Sequence, residues 1–308
     1  MDFVHEPVLV EEVLGLLATD HDDPLLIDAT AGEGGHSLHF LRANPHLRVV
    51  AIDADIEMLR RAQARLEPFG ERVRFIHGWF DDVLEDYADE TPPSAVLFDL
   101  GISMFHYEGS HRGFSFSKRE VLDMRLQPDA GVSAADIVNR YSETDLADLI
   151  FQHGEERYAR RIAKAVVMER RRRPIETADH LADVIRRAVP PSYRYGRLHP
   201  ATRTFQALRI EANQELDRIH RALPAAVRLL RPKGRLGVIA FHSLEDRIAK
   251  RFMRSRRYGS TEAEDAPMID EGALSLLTKK PIFPSEEEVR RNPAARSARL
   301  RVAEKVLA

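Results

Sequence analysis

The chain has 308 residues, a net charge of −3 and no cysteine. This length allows one large domain or two modest ones. The lack of Cys excludes disulfides, thiolate metal sites and a cysteine nucleophile. No apolar run approaches the ~20 residues of a membrane span, and the acidic N-terminal stretch lacks the pattern of a signal peptide. We therefore expect a cytoplasmic protein that does not associate with membranes.

Charge is distributed unevenly along the chain. Residues 1–150 carry 12 Lys and Arg against 29 Asp and Glu, a net of −17, whereas residues 151–210 carry a net of +8 and residues 211–308 a net of +6. A basic second half beside an acidic first half favours a polyanionic partner for the second half. The alternative is that these charges lie on solvated helix faces.

The first hundred residues alternate between apolar runs and helical patterns, beginning with a short helix over Glu11–Leu17. The predicted strands are Leu25–Ala29, Arg48–Asp53, Val73–His77 and Ala95–Leu100. The predicted helices between them are Gly35–Ala43 and Ile56–Leu66. This order is typical of an α/β fold with a mostly parallel, doubly wound sheet, whose ligand site lies at the carboxyl ends of the strands.

The alternation stops at about residue 112, and only helical spacing is found as far as residue 203. Helices are predicted over 121–126, 133–154, 156–172 and 177–190. This block reads as an inserted all-helical domain (112–203), with 1–111 and 204–308 forming the α/β domain. The rest is predicted as a long helix Thr204–Leu230, a strand Arg235–Phe241, a helix from His242 to about Arg254, a polar loop over 255–275, and a closing hairpin of Leu276–Phe283 and Ala298–Val306 that gives the sheet an antiparallel edge.

The stretch LLIDATAGEGGHS, residues 25–37, predicts a strand, a glycine loop and a helix start. Its glycines are Gly32, Gly34 and Gly35, which would let backbone N–H groups approach a ligand at the helix N-terminus. Asp53 ends the second strand, where both a nicotinamide dinucleotide and S-adenosylmethionine place a ribose. Ser37 occupies the position at which the dinucleotide fingerprint requires Gly or Ala. Asp28 suits a cationic amino-acid group better than a pyrophosphate, so S-adenosylmethionine is favoured over the alternatives of a dinucleotide or a purely structural turn.

Ten segments, in order along nearly the whole chain, resemble the RsmH (MraW) family of bacterial 16S rRNA cytosine-N4 methyltransferases. They are HEPVL (5–9), DATAGEGGHS (28–37), AIDAD (51–55), HGWF (77–80), DLGIS (99–103), RGFSF (112–116), LDMR (122–125), GEERYARRIAKAV (154–166), HPATRTFQALRI (199–210) and FHSLEDRIAKRFM (241–253). The resemblance implies a class I, Rossmann-like methyltransferase fold whose inserted helical domain recognises RNA. It also implies S-adenosylmethionine as the methyl donor and a decoding-region cytidine of 16S rRNA, cytidine 1402, as the acceptor in the small ribosomal subunit.

The resemblance also assigns cofactor contacts. Transferred position by position, they fall on Gly34, Gly35, His36, Asp53, Phe80 and Asp99. The family also uses a side chain shortly after the DLG segment, usually a Gln, and this chain has His106 there. Because an imidazole can still donate or accept one hydrogen bond, the contact can be retained.

Methylation of an amine requires alignment of the acceptor nitrogen with the methyl group, together with hydrogen-bond acceptors around its N–H groups. Asp99, at the end of the fourth strand, is the catalytic candidate, supported by Ser103. His242 follows the fifth strand and would either contact the acceptor base or lie exposed beside an N-cap formed by Ser243. The absence of Cys argues against carbon-5 methylation, which requires a covalent adduct. We expect no metal site.

The basic region has two clusters of arginine that would form an RNA-binding face. The candidate RNA-binding residues are Arg171, Arg172, Arg173, Arg194 and Arg197. Aromatic residues interleaved with the second cluster add stacking options. Two other readings stay open: a ribosome-assembly factor that keeps the cofactor fold without catalysis, and a nicotinamide oxidoreductase. The sequence does not decide the oligomeric state, and a homodimer is one option.

Overall fold

The structure is a computed structural model that describes residues 6–19, 21–88, 91–196, 198–256 and 273–306. The chain divides into two compact units: Met1–Ile102 with Leu216–Ala308, and Ser103–Glu215. The first unit contains every strand of the sheet, and the second contains the helices of the central region. The boundaries predicted for the insert, residues 112 and 203, both lie inside the second unit.

The strands of the first unit form one seven-stranded sheet. They are β1 (Leu25–Asp28), β2 (Arg48–Asp53), β3 (Val73–His77), β4 (Ala95–Asp99), β5 (Arg235–Ala240), β6 (Leu274–Leu276) and β7 (Arg299–Lys305), in the spatial order β3-β2-β1-β4-β5-β7-β6. Strands β1 to β5 pair in parallel, whereas β7 is antiparallel to both β5 and β6. The predicted α/β fold, a mostly parallel doubly wound sheet with an antiparallel edge, is confirmed.

Fourteen α-helices lie within the described residues. They are α1 (Val10–Leu17), α2 (Gly35–Ala43), α3 (Ile56–Leu66), α4 (Phe80–Glu85), α5 (Met104–Glu108), α6 (Ala134–Arg140), α7 (Glu143–Gly154), α8 (Ala159–Arg170), α9 (Ala178–Ala188), α10 (Pro191–Arg194), α11 (Thr202–Asn213), α12 (Glu215–Leu229), α13 (Ser243–Ser255) and α14 (Glu286–Arg291). None of these helices has both the length and the apolar character needed to cross a bilayer.

Successive residues of the central strands enter two different cores. Leu25 and Ile27 of β1 pack into a core that includes side chains of α4, α12 and α13. Leu26, between them, packs into a second core with side chains of α1 and α2. Because neighbouring strand residues point to opposite faces of a sheet, both faces are covered, and these strands read as continuous apolar runs.

The predicted long helix Thr204–Leu230 is wrong. The chain forms two helices there, α11 and α12, which are separated at Gln214. This residue has φ 52°, in the left-handed region, and it forms the C-cap of α11. A non-glycine residue in that conformation is costly inside a helix, so the break depends on the tertiary structure rather than on the apolar spacing.

Two further helix predictions in the central region are also wrong. Residues 121–126 form no helix, since Val121 makes an isolated antiparallel bridge with Thr177 and Met124 has φ 61°. The single helix predicted over 133–154 is two helices, α6 and α7. Ser142 forms the N-cap of α7 by accepting a hydrogen bond from the Asp145 N–H, and this cap starts a new helix.

The closing hairpin is present but shorter than predicted. Strand β6 covers only Leu274–Leu276, whereas the sequence placed its strand over Leu276–Phe283. Ile282 instead makes one isolated bridge with Leu300 of β7. Most of the polar loop predicted over 255–275 lies outside the described residues.

Candidate active site

The glycine loop links the carboxyl end of β1 to the first turn of α2. Gly32 and Gly34 have φ values of 54° and 75°, which L side chains rarely adopt. Gly34 is the N-cap of α2 and provides no side-chain hydrogen bond to the helix. A Cβ at Gly34 would lie 3.1 Å from Leu66 of α3, whereas a Cβ at Gly32 would meet no atom within 4 Å. The loop therefore packs closely against α3 on one side and leaves open space beside Gly32.

The carboxylate at the end of β2 holds this loop in place. Asp53 Oδ2 accepts a hydrogen bond of 2.8 Å from the Gly32 N–H, and Asp53 Oδ1 accepts one of 2.8 Å from the Asp55 N–H. Burial raises the pKa of Asp53 to about 7, and these two backbone hydrogen bonds oppose the rise. Asp53 thus exchanges its proton near neutral pH.

A cluster of two aspartates and a histidine, Asp28, Asp99 and His36, lies where β1 and β4 end side by side; we call it the acidic group. Asp28 is 1% exposed and accepts a hydrogen bond of 2.6 Å from Ser37 Oγ, and the Asp99 N–H donates to Thr30 Oγ1 at 2.6 Å. His36 Nε2 lies 3.4 Å from Asp99 Oδ2. These residues place one imidazole and two carboxylates at the start of α2.

The protonation of this group follows from its burial and its charges. Burial raises the pKa of Asp28, although the hydrogen bond from Ser37 and the charge of His36 oppose the rise. Burial would lower the pKa of His36, but Asp99, and to a smaller extent Asp28 and Glu288, outweigh it and raise that pKa. His36 therefore keeps a proton to a higher pH than an ordinary histidine, and Asp28 keeps one to a higher pH than an ordinary aspartate.

The acidic group also has unused hydrogen-bonding capacity. Among the described residues, neither Asp28 Oδ1 nor Asp99 Oδ1 has a hydrogen-bond partner, although both atoms are buried. A buried carboxylate oxygen without a donor costs about 1–3 kcal/mol. The two oxygens therefore favour a ligand that brings N–H donors or positive charge to this edge of the sheet.

His242 also follows a strand at this edge, since β4 and β5 are parallel with Asp99 opposite Ile239. The structure makes His242 the N-cap of α13: its side chain accepts a hydrogen bond from the Glu245 N–H, and Glu245 accepts one from the His242 N–H. The alternative in which Ser243 caps this helix is therefore wrong. His242 is held in place, with Nε2 3.1 Å from Glu245 Oε1.

Phe80 and His106, which are predicted cofactor contacts, and Ser103, a catalytic candidate, each make local contacts within their own unit. Phe80 begins α4, is 9% exposed and packs edge-on against Phe98 with ring centroids 5.5 Å apart. In the helical unit, His106 is 4% exposed, with its ring centroid 5.3 Å from that of Phe114. Ser103 caps α5 by accepting a hydrogen bond from the Phe105 N–H. Each of the three has a structural role besides its predicted one.

Two pairings of the α/β unit were missed by sequence reasoning. Glu33, inside the glycine loop and 2% exposed, forms an ion pair of 3.3 Å with Arg61 of α3. Asp81 of α4 has a fully buried side chain and pairs with Arg218 and Arg221 of α12. Both pairings join residues at least 28 positions apart, so local patterns could not reveal them. Only the tertiary structure brings them together.

Some arginines of the two clusters are exposed, and others donate hydrogen bonds within the protein. Arg171, Arg172 and Arg173 are exposed, and Arg173 also lies 3.7 Å from Glu169. Arg194 is half-buried and donates hydrogen bonds to the carbonyls of Val189 and Arg187. Arg197 lies outside the described residues. The guanidinium of Arg194 thus stabilises the end of α9, whereas the 171–173 run is open to a ligand.

Comparison with known proteins decides the family. The profile of the MraW methylase family matches residues 2–306. The chain belongs to the MraW methylase family. Two relatives named ribosomal RNA small subunit methyltransferase H are 53% identical (Treponema denticola, 99% of this chain and 98% of the relative) and 44% identical (Treponema pallidum, 98% and 92%).

Similar solved structures were also found. TrmN from Thermus thermophilus gives a TM-score of 0.42 at 13% identity and covers 97% of this chain and 48% of its own. An rRNA methylase from Streptococcus thermophilus gives a TM-score of 0.38 at 14% identity and covers 97% and 94%.

As a member of the MraW methylase family, the protein uses S-adenosylmethionine as its cofactor. The glycine loop and the ends of β1, β2 and β4 form a cradle that fits this molecule on its own chemistry. S-adenosylmethionine carries a sulfonium and an ammonium, and the strand ends present carboxylates with unpartnered oxygens, among the described residues, to such charges. The first turn of α2 has backbone N–H groups for its carboxylate.

Proposed function

We propose that this protein transfers a methyl group from S-adenosylmethionine to the exocyclic N4 of a cytidine in the decoding region of 16S rRNA, cytidine 1402, within the small ribosomal subunit. The observation that carries the proposal is the pair of buried carboxylate oxygens, Asp28 Oδ1 and Asp99 Oδ1, that lack a donor among the described residues. The names of the relatives support ribosomal RNA of the small subunit as the substrate. A cytoplasmic location follows from that substrate.

We assign the cofactor to the cradle as follows. Asp53, at the end of β2, accepts hydrogen bonds from the ribose hydroxyls. Asp28 provides negative charge for the ammonium group. The backbone N–H groups of Gly35 and His36 bind the carboxylate at the start of α2, next to Gly34, whose own N–H donates to the Ala31 carbonyl at 2.7 Å. Phe80 lies against the adenine. When bound, the cofactor supplies an electrophilic methyl group on sulfur.

Asp99 acts on the acceptor amine. The lone pair of a cytosine amine is delocalised into the ring, so the nitrogen is a weak nucleophile. When an N4–H group donates a hydrogen bond to Asp99 Oδ1, the nitrogen is drawn towards pyramidal geometry. The carboxylate stabilises the positive charge that develops on this nitrogen during methyl transfer. His36 positions Asp99 from the other side, through the 3.4 Å contact to Oδ2. His242 contacts the base, and the proton that N4 loses passes to Asp99 or to water.

Substitution of Asp99 by Asn tests this role. An amide keeps the size but loses the charge that stabilises the amine, so we expect kcat to fall by about 100-fold or more. The measurement is methyl transfer at saturating S-adenosylmethionine on unmethylated small subunits, with cofactor affinity measured separately by calorimetry.

The Ser37→Ala variant is the matched control, because it removes a hydrogen bond of 2.6 Å from Asp28 in the same cluster and leaves Asp99 intact. We expect it to change cofactor affinity more than kcat. Full turnover by the Asp99→Asn enzyme, with cofactor binding intact, would contradict a role for this carboxylate in the reaction.

A further inference from the structure

One face of α8, in the helical unit, carries a row of exposed cations. The row consists of Arg157, Arg160, Arg161, Lys164, Arg171 and Arg172. Arg157 lies just before the helix begins, and Arg171 is its C-cap. At 100° per residue, Arg160, Arg161, Lys164 and Arg171 fall within a sector of about 100°. The opposite face of α8 is buried through Ile162, Ala163, Val166 and Val167. We call this set the α8 basic row.

The α8 basic row has no acidic counterpart in the described part of the chain. No ion pair joins any of its six side chains to a carboxylate there. Other surface cations of the same unit are paired, such as Arg140 with Asp136 at 3.0 Å and Arg186 with Asp183 at 3.0 Å. Six like charges on one helix face repel one another, so the row favours an external polyanion.

The chemistry of the row points to phosphates rather than to bases or lipids. Met168 is the large apolar residue exposed among the cations, at 53%, and the apolar face of α8 is already buried in the unit. A helix that lies on a membrane needs a free apolar face, and single-stranded RNA is bound by exposed aromatic rings. The described residues of the row provide neither. The ring of Tyr158 lies under the Arg157 guanidinium, 4.8 Å from its centroid.

We propose that the α8 basic row binds the sugar–phosphate backbone of a double-helical segment of the ribosomal RNA, independently of base sequence. The inference rests on the proposed function, which identifies the ligand as rRNA. From Arg160 to Arg171 the helix rises about 16 Å, or three turns of 5.4 Å; Arg160, Arg161 and Lys164 lie on about the first turn, and Arg171 and Arg172 follow two turns later. Two groups of cations held at a fixed separation on a rigid helix suit the regularly spaced phosphates of a duplex, and they anchor the enzyme while another segment of the RNA supplies the acceptor nucleotide.

The test is a salt titration of RNA binding. A triple variant, Arg160→Gln, Arg161→Gln and Lys164→Gln, is compared with the wild-type chain on a short RNA duplex and on a single strand of equal length. Each lost phosphate contact lowers the slope of log K against log salt by about 1, so we expect the slope on the duplex to fall by about 3. Affinity for S-adenosylmethionine should not change.

A charge-matched control separates the row from net charge. Arg60, Arg140 and Arg291 are 64%, 79% and 65% exposed, and each pairs with a carboxylate. Their triple replacement by Gln removes the same three charges and should leave the slope as in the wild type. An equal loss of slope in both triples would overturn the proposal, as would no change in the α8 triple.

The test also shows whether the row binds duplex or single-stranded RNA, and it can fail independently of the proposed function. If the α8 triple loses binding to the single strand but keeps its duplex slope, the row binds unpaired RNA and the proposal fails. If the wild-type chain binds the duplex through the row but transfers no methyl group to small subunits, the proposed function fails while the RNA-binding row stands. A wild-type chain that binds neither RNA refutes the row as an RNA site.

Discussion

The carboxylates of the cradle differ in their surroundings, and these differences give each a separate task. Each oxygen of Asp53 accepts one backbone N–H hydrogen bond, which fixes the loop, and keeps a second lone pair for a ribose hydroxyl. Asp28 and Asp99 each keep one buried oxygen without a donor among the described residues, which suits contact with a ligand. The sequence places all three at strand ends, but the approach of His36 to Asp99 depends on the packing of α2 over β1 and β4 and could not be predicted.

The raised pKa of Asp53 makes a prediction about pH. The folded protein keeps a proton on Asp53 up to a pKa of about 7, whereas the ordinary pKa of an aspartate is 3.8. Between these two pKa values the folded state binds more protons than the unfolded state, so protonation of Asp53 stabilises the fold. This stabilisation is fully present below about pH 4 and is lost as the pH rises towards 7. Replacement of Asp53 by Asn removes the carboxyl group that titrates over this interval.

Thermal unfolding between pH 4 and 8 measures this effect. We expect Tm of the Asp53→Asn protein to decline less than that of the wild type over this interval. An Asp22→Asn variant is a suitable control, because it makes the same chemical change at an exposed position. Identical pH profiles for the wild-type and Asp53→Asn proteins would show that Asp53 titrates at an ordinary pKa.

At the scale of single elements, the pattern of apolar residues predicted where helices lie better than where they end. The breaks at Gln214 and Ser142 follow from a left-handed residue and from an N-cap, and neither alters the apolar spacing. The cap of α13 shows the same limit. The sequence SLED offers Ser243 as the N-cap, but the reciprocal bonds between His242 and Glu245 make the helix start one residue earlier.

The crossing of α7 and α11 gives a prediction on stability. A Cβ at Gly154 would lie 2.5 Å from the carbonyl oxygen of Arg203, so Gly154→Ala must push the two helices apart. We expect a loss of about 3 kcal/mol in the free energy of unfolding. At Gly15, inside α1, an added Cβ would meet no atom within 4 Å, and Gly15→Ala should stabilise the protein by about 0.5–1 kcal/mol.

Urea denaturation of both variants measures these changes. The opposite signs are the informative outcome, because each variant makes the same chemical change at a different kind of position. A Gly154→Ala protein as stable as the wild type would mean that α7 and α11 do not approach closely in solution.

At the scale of the whole molecule, the order of strands and the charge balance were readable from the sequence. Continuous apolar runs with carboxylates at their ends predict a parallel sheet and its ligand edge, because both features are local. The α8 basic row was only partly visible: the 171–173 run stands out in the sequence, but Arg157, Arg160 and Lys164 join it only once the buried side of α8 is known. The absence of a metal and the option of a homodimer stay predictions.

The most direct test of the account is transfer of a labelled methyl group from S-adenosylmethionine to unmethylated small ribosomal subunits, followed by analysis of the nucleosides. The account predicts label in N4-methylcytidine, with free 16S rRNA as a comparison substrate. Label in another nucleoside would contradict the assignment of the cytidine N4 as the acceptor. No label on either substrate, with cofactor binding intact, would contradict the proposed function as a whole.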